Sequence, residues 1–346
     1  MANMDKKMST NLRRMVWYAV VFVVLVAATF FFVFKDQDLG EVAHAVFTAD
    51  ILFILLGVAL MIGYFMVQAW NIMTLLNSFG EKVSFGKALK FSLIEFFFCS
   101  VTPGASGGQP LEIYYMTKEK IKGANATVAI LIQTCGMQLA IILLGTICLW
   151  LSPALISDNV LFLFVLGFII NGVALLVLLA CLFSQTLARG AVNWFFDTLK
   201  GFGIKKAKVW KEGIGKSLEQ YGQSAEYIKT HKKEFWIAMG KVLLQQSLFY
   251  LVPFCVYKAM GLSGATIWEL FAIQSVLFVA TSGLPIPGAV GVSETVFLAL
   301  YAVAFGDELV SSAMLLNRGI TFYLFVIVGL MVVFINIIRL KKAKEK

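Results

Sequence analysis

Glu112, Glu294 and Arg318 are the ionisable residues of this chain best placed to do chemistry. Each lies in a stretch otherwise apolar enough for a bilayer, where an ionisable group is costly and so marks a site. Two short loops accompany the glutamates. One runs Thr102-Pro103-Gly104-Ala105-Ser106-Gly107-Gly108-Gln109-Pro110-Leu111-Glu112, the other Pro285-Ile286-Pro287-Gly288-Ala289-Val290-Gly291-Val292-Ser293-Glu294. Both contain Pro-Gly-Ala-x-Gly. The prolines stop helices on either side, and Gly104, Gly107, Gly108, Gly288 and Gly291 leave backbone N–H groups uncovered. Such amides at a helix N-terminus attract anions. The planar guanidinium of Arg318 suits bidentate contact with a phosphate or carboxylate. Glu112 and Glu294, in the first turns after the breaks, favour the positive helix end and can meet a cation or hydroxyl. The plainer alternative is that Arg318 only pairs with Glu294 and holds the second loop in place.

Other ionisable groups in apolar stretches carry less. Lys241 lies one or two turns inside its helix and can snorkel. Glu269 sits beside Trp268 and reads as interfacial. Glu95, flanked by Leu93, Ile94 and three phenylalanines, is harder to dismiss. Several chemistries lack material altogether. The five cysteines fall in apolar stretches with no C-x-x-C pair, and read as small buried hydrophobes. Two histidines, His44 and His231, give no zinc or histidine-based catalytic site. No nucleotide loop of the form G-x-x-x-x-G-K-[ST] occurs, and no cofactor is expected.

These residues must be positioned by membrane helices. Of 346 residues, 60% are hydrophobic and 14% charged, against roughly half and a quarter in a soluble domain. Apolar runs over Met15–Phe34, Ile51–Leu76, Ala124–Leu151, Val160–Phe183, Phe235–Ala259 and Leu309–Ile338 predict six full crossings. The first is too long for a signal-peptide core and reads as retained. Two further segments, 88–116 and 266–306, are each interrupted by one of the loops. With both read as re-entrant hairpins and the N-terminus in the cytoplasm, 25 of the 29 basic residues fall on the cytoplasmic side. The hairpins then enter from opposite faces, an inverted repeat suited to alternating access around a midplane site. The expected fold is all-α. Residues 1–183 form a first half, 184–234 a cytoplasmic segment and 235–346 a second half of one integral membrane domain.

Within 184–234, Trp210, Ile214, Leu218, Tyr221, Ala225 and Ile228 recur at helical spacing, predicting an amphipathic helix on the cytoplasmic membrane surface. The net charge of +9 is spread around apolar spans, which points to anionic lipid and away from nucleic acid.

On the two loops and on Leu316-Asn317-Arg318-Gly319-Ile320-Thr321-Phe322-Tyr323, the chain resembles the lysylphosphatidylglycerol synthase transmembrane-region family. The family includes the flippase half of multiple peptide resistance factor and many stand-alone flippase-like proteins. The resemblance implies a bacterial cytoplasmic-membrane fold with paired re-entrant hairpins and a lipid-translocating role. By motif match it points to Gly107, Gly108, Gln109, Glu294 and Arg318 as cavity residues. With the loops, the candidate substrate-binding set is Thr102, Pro103, Gly104, Gly107, Gly108, Gln109, Glu112, Pro287, Gly288, Gly291, Glu294 and Arg318. Bifunctional members also carry a soluble aminoacyl-transferase domain that this sequence lacks, so phosphatidylglycerol lysyltransferase activity is not expected of it. The expected partners are membrane lipids: an anionic or aminoacylated phospholipid such as lysyl-phosphatidylglycerol, or a polyprenyl phosphate. A second copy of the chain and a lipid-synthesising enzyme are further candidates. The rival readings are a membrane-embedded lipid-modifying transferase, with Glu112 or Glu294 as acid or base, and a scaffold that recruits such an enzyme.

Overall fold

A computed structural model describes residues 39–102, 105, 107–151, 158–183, 190, 232–282 and 289–342. The expected first span Met15–Phe34 and the amphipathic stretch 210–228 lie outside the described residues. Among the described residues the secondary structure is entirely helical, and five helices are long and apolar enough to cross a membrane.

Helix α1 (Leu39–Phe47) precedes the first of these, α2 (Ile51–Ser78), whose 28 residues reach about 42 Å at 1.5 Å per residue, more than a hydrocarbon core requires. Asp50 caps it by accepting the Leu52 N–H at 2.8 Å. The Asp50 N–H is in turn donated to the Ala259 carbonyl at 2.7 Å, which ties this end to a distant part of the chain. At its far end the Asn77 side chain brackets Val83, accepting its N–H at 2.8 Å and donating to its carbonyl at 3.2 Å. That turn launches α3 (Phe85–Val101).

Helix α3 stops at Thr102 and α4 (Gly108–Lys118) folds back on it. The Lys90–Glu119 ion pair shows the geometry, because its members lie at similar distances before and after the break. Phe98 and Tyr115 also stack, with ring centroids 6.5 Å apart. At its base this pair is joined to the end of α2 by Asn125, which donates to Glu81 at 2.7 Å. Helices α5 (Gly123–Leu151) and α6 (Asp158–Phe183) follow. Helix α6 is the most exposed, with Phe162 and Leu176 each 68% accessible. It touches the bundle closely where Gly167, lacking a Cβ, leaves room for the Val279 carbonyl.

The expected span Phe235–Ala259 is two helices, α7 (Lys232–Tyr250) and α8 (Val252–Ala259). Pro253 has no N–H to donate and stands at the start of α8. Helix α9 (Ile267–Ser282) then runs inward and α10 (Val292–Arg318) returns beside it. Tyr301 marks the fold-back by donating its hydroxyl to Gln274 Oε1 at 2.9 Å. Gly306, at φ 74° and ψ 160°, breaks α10 into two helical parts. Arg318 is followed by a π-helical turn, Gly319–Tyr323, and then by α11 (Leu324–Lys342).

The bases of the two folded-back pairs stand at opposite ends of the bundle. The first lies with Glu81 and Lys122, where α2 ends and α5 begins. The second lies with Tyr257 and Ala265, near the end of α8. The core is divided accordingly. One apolar cluster packs Phe91, Ile94, Phe97 and Met116 of the first pair against α2, α5 and α7. Another packs Leu270, Ile273, Phe297 and Tyr301 of the second against α2, α8 and the later part of α10.

Candidate functional site

The two tips meet at a cavity of about 240 Å³. Phe96, Cys99, Ser100 and Ala105 line it from the first pair, and Thr281, Ser282, Ala289 and Ser293 from the second. Tyr64 of α2, Gln246 and Phe249 of α7, and the segment Met314, Asn317, Arg318, Thr321 and Phe322 close the remaining sides.

Arg318 is the charged group of this lining. Its Nε donates to Glu294 Oε1 at 2.7 Å, and another guanidinium nitrogen donates to the Ser293 hydroxyl. The guanidinium carbon lies 4.9 Å from the centroid of the Phe322 ring, a distance at which the ring face attracts a cation. Glu294 is 2% exposed. Its second oxygen, Oε2, accepts the Gly291 N–H at 2.7 Å, so the carboxylate serves both the arginine and the first turn of α10. Gly291 holds φ 93°, a conformation a side chain would strain. The paired alternative read from the sequence is therefore present, and the same arginine also faces the cavity. The π turn immediately after Arg318 is of the kind that clusters at functional sites.

The first tip is built differently. The Thr102 hydroxyl donates to the Phe98 carbonyl at 2.6 Å and accepts the Gly107 N–H at 2.9 Å. The Gly107 and Gly291 amides are thus both engaged by side chains of their own loops. Gly108 sits where α3 and α4 approach most closely, and a Cβ there would strike the Cys99 sulfur. Gly107, Gly108 and Gln109 are outside the cavity lining. Glu112 is 1% exposed, also outside the lining, and its Oε1 has no hydrogen-bond partner. Pro103, Gly104, Pro287 and Gly288 lie outside the described residues.

The remaining ionisable candidates have local partners. Glu95 accepts from Gln68 Nε2 at 2.8 Å, with the Cys99 thiol 3.5 Å from its other oxygen. Lys241 does not snorkel to an end. It is 8% exposed, donates to Thr74 Oγ1 at 2.7 Å and stands 4.3 Å over the Trp70 ring. Glu269 accepts the N–H and hydroxyl of Thr266 at 2.7 and 2.9 Å, a cap at the start of α9. Among the described residues no three His, Cys, Asp or Glu side chains gather to hold a metal.

Uncharged amides supply further polar groups at the cavity. Gln246, Gln274 and Asn317 line the cavity. Beside it, Asn71 donates to Gln133 at 2.6 Å and Gln133 donates to Gln245 at 2.8 Å, crossing three helices. Glutamines at 68, 133, 245, 246 and 274 inside apolar runs were the available signal, since buried amides in membrane helices seek partners.

The family model described as the lysylphosphatidylglycerol synthase TM region matches residues 16–329. The chain belongs to this family. A relative, a UPF0104 membrane protein of Archaeoglobus fulgidus, is 20% identical over 329 residues, covering 91% of this chain and 95% of its own. No solved structure matches. Both loops and the Arg318 segment of this lysylphosphatidylglycerol synthase TM-region protein fall inside the matched residues.

Proposed function

We propose that this protein is a lipid translocase of the cytoplasmic membrane, moving a phosphate-bearing lipid head group through the cavity between the hairpin tips. The two folded-back pairs are re-entrant from opposite faces, with six full crossings around them and both termini in the cytoplasm. The distribution of Lys and Arg supports that orientation, and broken helices meeting at membrane depth support a substrate site between them. The family's description, naming a lysylphospholipid synthase's membrane region, supports a lipid as cargo.

The observation that carries the reading is the convergence of both tips on one cavity faced by Arg318. Irregular backbone is tolerated at this depth where it is buried or lines a polar space. At about 240 Å³ the cavity is smaller than the roughly 300–1,000 Å³ clefts that take drug-sized ligands. It accommodates a head group and leaves the acyl chains in the bilayer. Arg318 meets the phosphate, and its ion pair with Glu294 keeps the guanidinium from being an unpaired buried charge when the cavity is empty. Movement is downhill or coupled to an ion gradient.

The test is lipid movement in proteoliposomes, followed with acyl-labelled fluorescent lipids and a quencher of the outer leaflet. Wild-type protein should exceed protein-free vesicles. Arg318→Gln should lose most of that excess, and Arg318→Lys should keep part of it, since lysine holds phosphate as a point charge without the planar fork. Rates equal to protein-free vesicles for every phospholipid tried would sink the proposal.

A further inference from the structure

The polar character of the cavity is lopsided. Its described lining holds a cation, Arg318, and no carboxylate. Glu294 lies behind Arg318 and is bound by it, while Glu95 and Glu112 stand outside the lining. Loop residues 103, 104, 106 and 283–288 include no ionisable side chain. The rest of the polar lining is hydroxyl and carboxamide.

Three of the hydroxyls are turned so as to accept, while Gln246 Nε2 is a donor without a hydrogen-bond partner. The hydroxyls of Ser100, Thr281 and Thr321 give their protons to the carbonyls of Phe96, Leu277 and Asn317, at 2.8, 2.8 and 2.6 Å. Each oxygen therefore offers only lone pairs to a guest. Asn317, next to Arg318, is 4% exposed and its Oδ1 has no hydrogen-bond partner. A buried polar atom left unsatisfied calls for an explanation, and a ligand donor supplies one.

A donor here can be a hydroxyl or an ammonium, and the charge balance decides between them. A hydroxyl needs one or two ordinary hydrogen bonds, and neutral acceptors provide them. An ammonium taken from water must recover a far larger hydration energy, which needs an anion close by. The described lining offers none. Nor does the Phe322 face help, because the Arg318 guanidinium already occupies it, and a second cation beside the first would be repelled.

We infer that the head group taken by this cavity is a phosphate ester carrying neutral hydroxyls, a polyol or a sugar, rather than one carrying an ammonium group. The phosphate faces Arg318, and a hydroxyl of the adjoining polyol donates to Asn317 Oδ1. This rests on the translocase reading and narrows its cargo.

The experiment compares acyl-labelled lipids in proteoliposomes with four heads: phosphoglycerol, phosphoinositol, phosphoethanolamine and phosphocholine. The two hydroxyl-bearing heads should move at least about tenfold faster than the two ammonium heads, the ratio one unmet hydrogen bond produces. A higher rate for glycerol than inositol assigns a small polyol, and the reverse a sugar. Asn317→Leu should reduce the hydroxyl-head rates toward the ammonium ones. Asn317→Asp, which adds a carboxylate of the same shape, should raise the phosphoethanolamine rate above wild type. Thermal unfolding of each variant shows whether it is folded, and for a variant that is not, the wild-type ranking alone decides. Ammonium heads moving as fast as or faster than hydroxyl heads overturn the inference and leave the translocase standing. No head moving faster than in protein-free vesicles overturns both.

Discussion

Arg318 and Glu294 join the end of α10 to its first turn and the second loop through a single carboxylate. Glu294 Oε1 accepts from Arg318 Nε at 2.7 Å while Oε2 accepts the Gly291 N–H at 2.7 Å. Any movement of the arginine toward a ligand is thereby felt at the turn that starts α10. The Glu294 side chain is 1% and that of Arg318 15% exposed, so removing one member leaves the other charge largely without compensation. Arg318→Ala should destabilise the protein by about 3–5 kcal/mol, read as a lowered thermal midpoint in detergent. Adding Glu294→Gln to that variant should recover part of the loss, because the orphaned charge is gone. A double variant as unstable as the sum of the singles would show that the two residues act separately.

Thr102 does for the first tip what Glu294 does for the second. Its hydroxyl accepts the Gly107 N–H and donates to Phe98, bridging the break between α3 and α4. Thr102→Val keeps the shape and removes both bonds, and should cost about 1 kcal/mol because a partly buried amide is left unpaired. Thr102→Ser should stay near wild type. Hydrogen exchange at the Gly107 amide is the direct measurement, with faster exchange expected in the valine variant alone.

Much of this arrangement was legible in the chain. The two breaks, Arg318 and the fold-back of each interrupted segment follow from glycine, proline and charge in apolar runs, signals that do not depend on distant contacts. What lay beyond reach depended on side-chain direction. Glu112 and Glu294 sit at similar distances after their loops, yet Glu294 meets an arginine and Glu112 is buried outside the cavity lining with an unpaired oxygen. The glycine amides that looked open to an anion are engaged by Thr102 and Glu294. Asn317 gave little signal in sequence, because a neutral amide is far less costly in a bilayer than a charge.

Gly108 is required by the closeness of α3 and α4. A Cβ there would press on the Cys99 sulfur, and would stand 3.2 Å from the Glu95 carbonyl oxygen. Gly108→Ala should cost about 1–3 kcal/mol by overpacking. Cys99→Ala in the same chain should relieve most of this, while the nearby Glu95 carbonyl keeps the rescue incomplete. Thermal midpoints of the two singles and the double check it. Strict additivity would mean that the sulfur is not the obstacle.

Glu119 gives the base of the first hairpin a pH dependence. Burial alone would raise its pKa, but hydrogen bonds from Lys90 and then Lys87 outweigh it and hold the carboxyl below its usual range. A depressed folded value means the contribution is complete above the unfolded value, about 4.3, and is lost as pH falls through the folded value. The pairs are partly exposed, with Glu119 at 29%, so the contribution is about 1 kcal/mol or less. Wild type should therefore lie above Glu119→Gln in thermal midpoint at neutral pH, and the gap should close below about pH 4. A gap that widens on acidification would contradict the assignment.

Gln133 bridges two other amides inside the bundle, accepting from Asn71 Nδ2 at 2.6 Å and donating to Gln245 Oε1 at 2.8 Å. These bonds tie α2, α5 and α7 together beside the cavity wall that Gln246 supplies. Replacing Gln133 by leucine keeps the volume but strands both neighbours. Each stranded group carries the desolvation penalty of an unmet hydrogen bond, about 1–3 kcal/mol in water-soluble proteins and nearer 1 where membrane partners can substitute. Gln133→Leu should therefore lower stability by about 2 kcal/mol in all. Leucine at Asn71, Gln133 and Gln245 together should be less damaging than at Gln133 alone, since no polar group is then left behind. If the triple variant is the less stable, these amides serve more than one another.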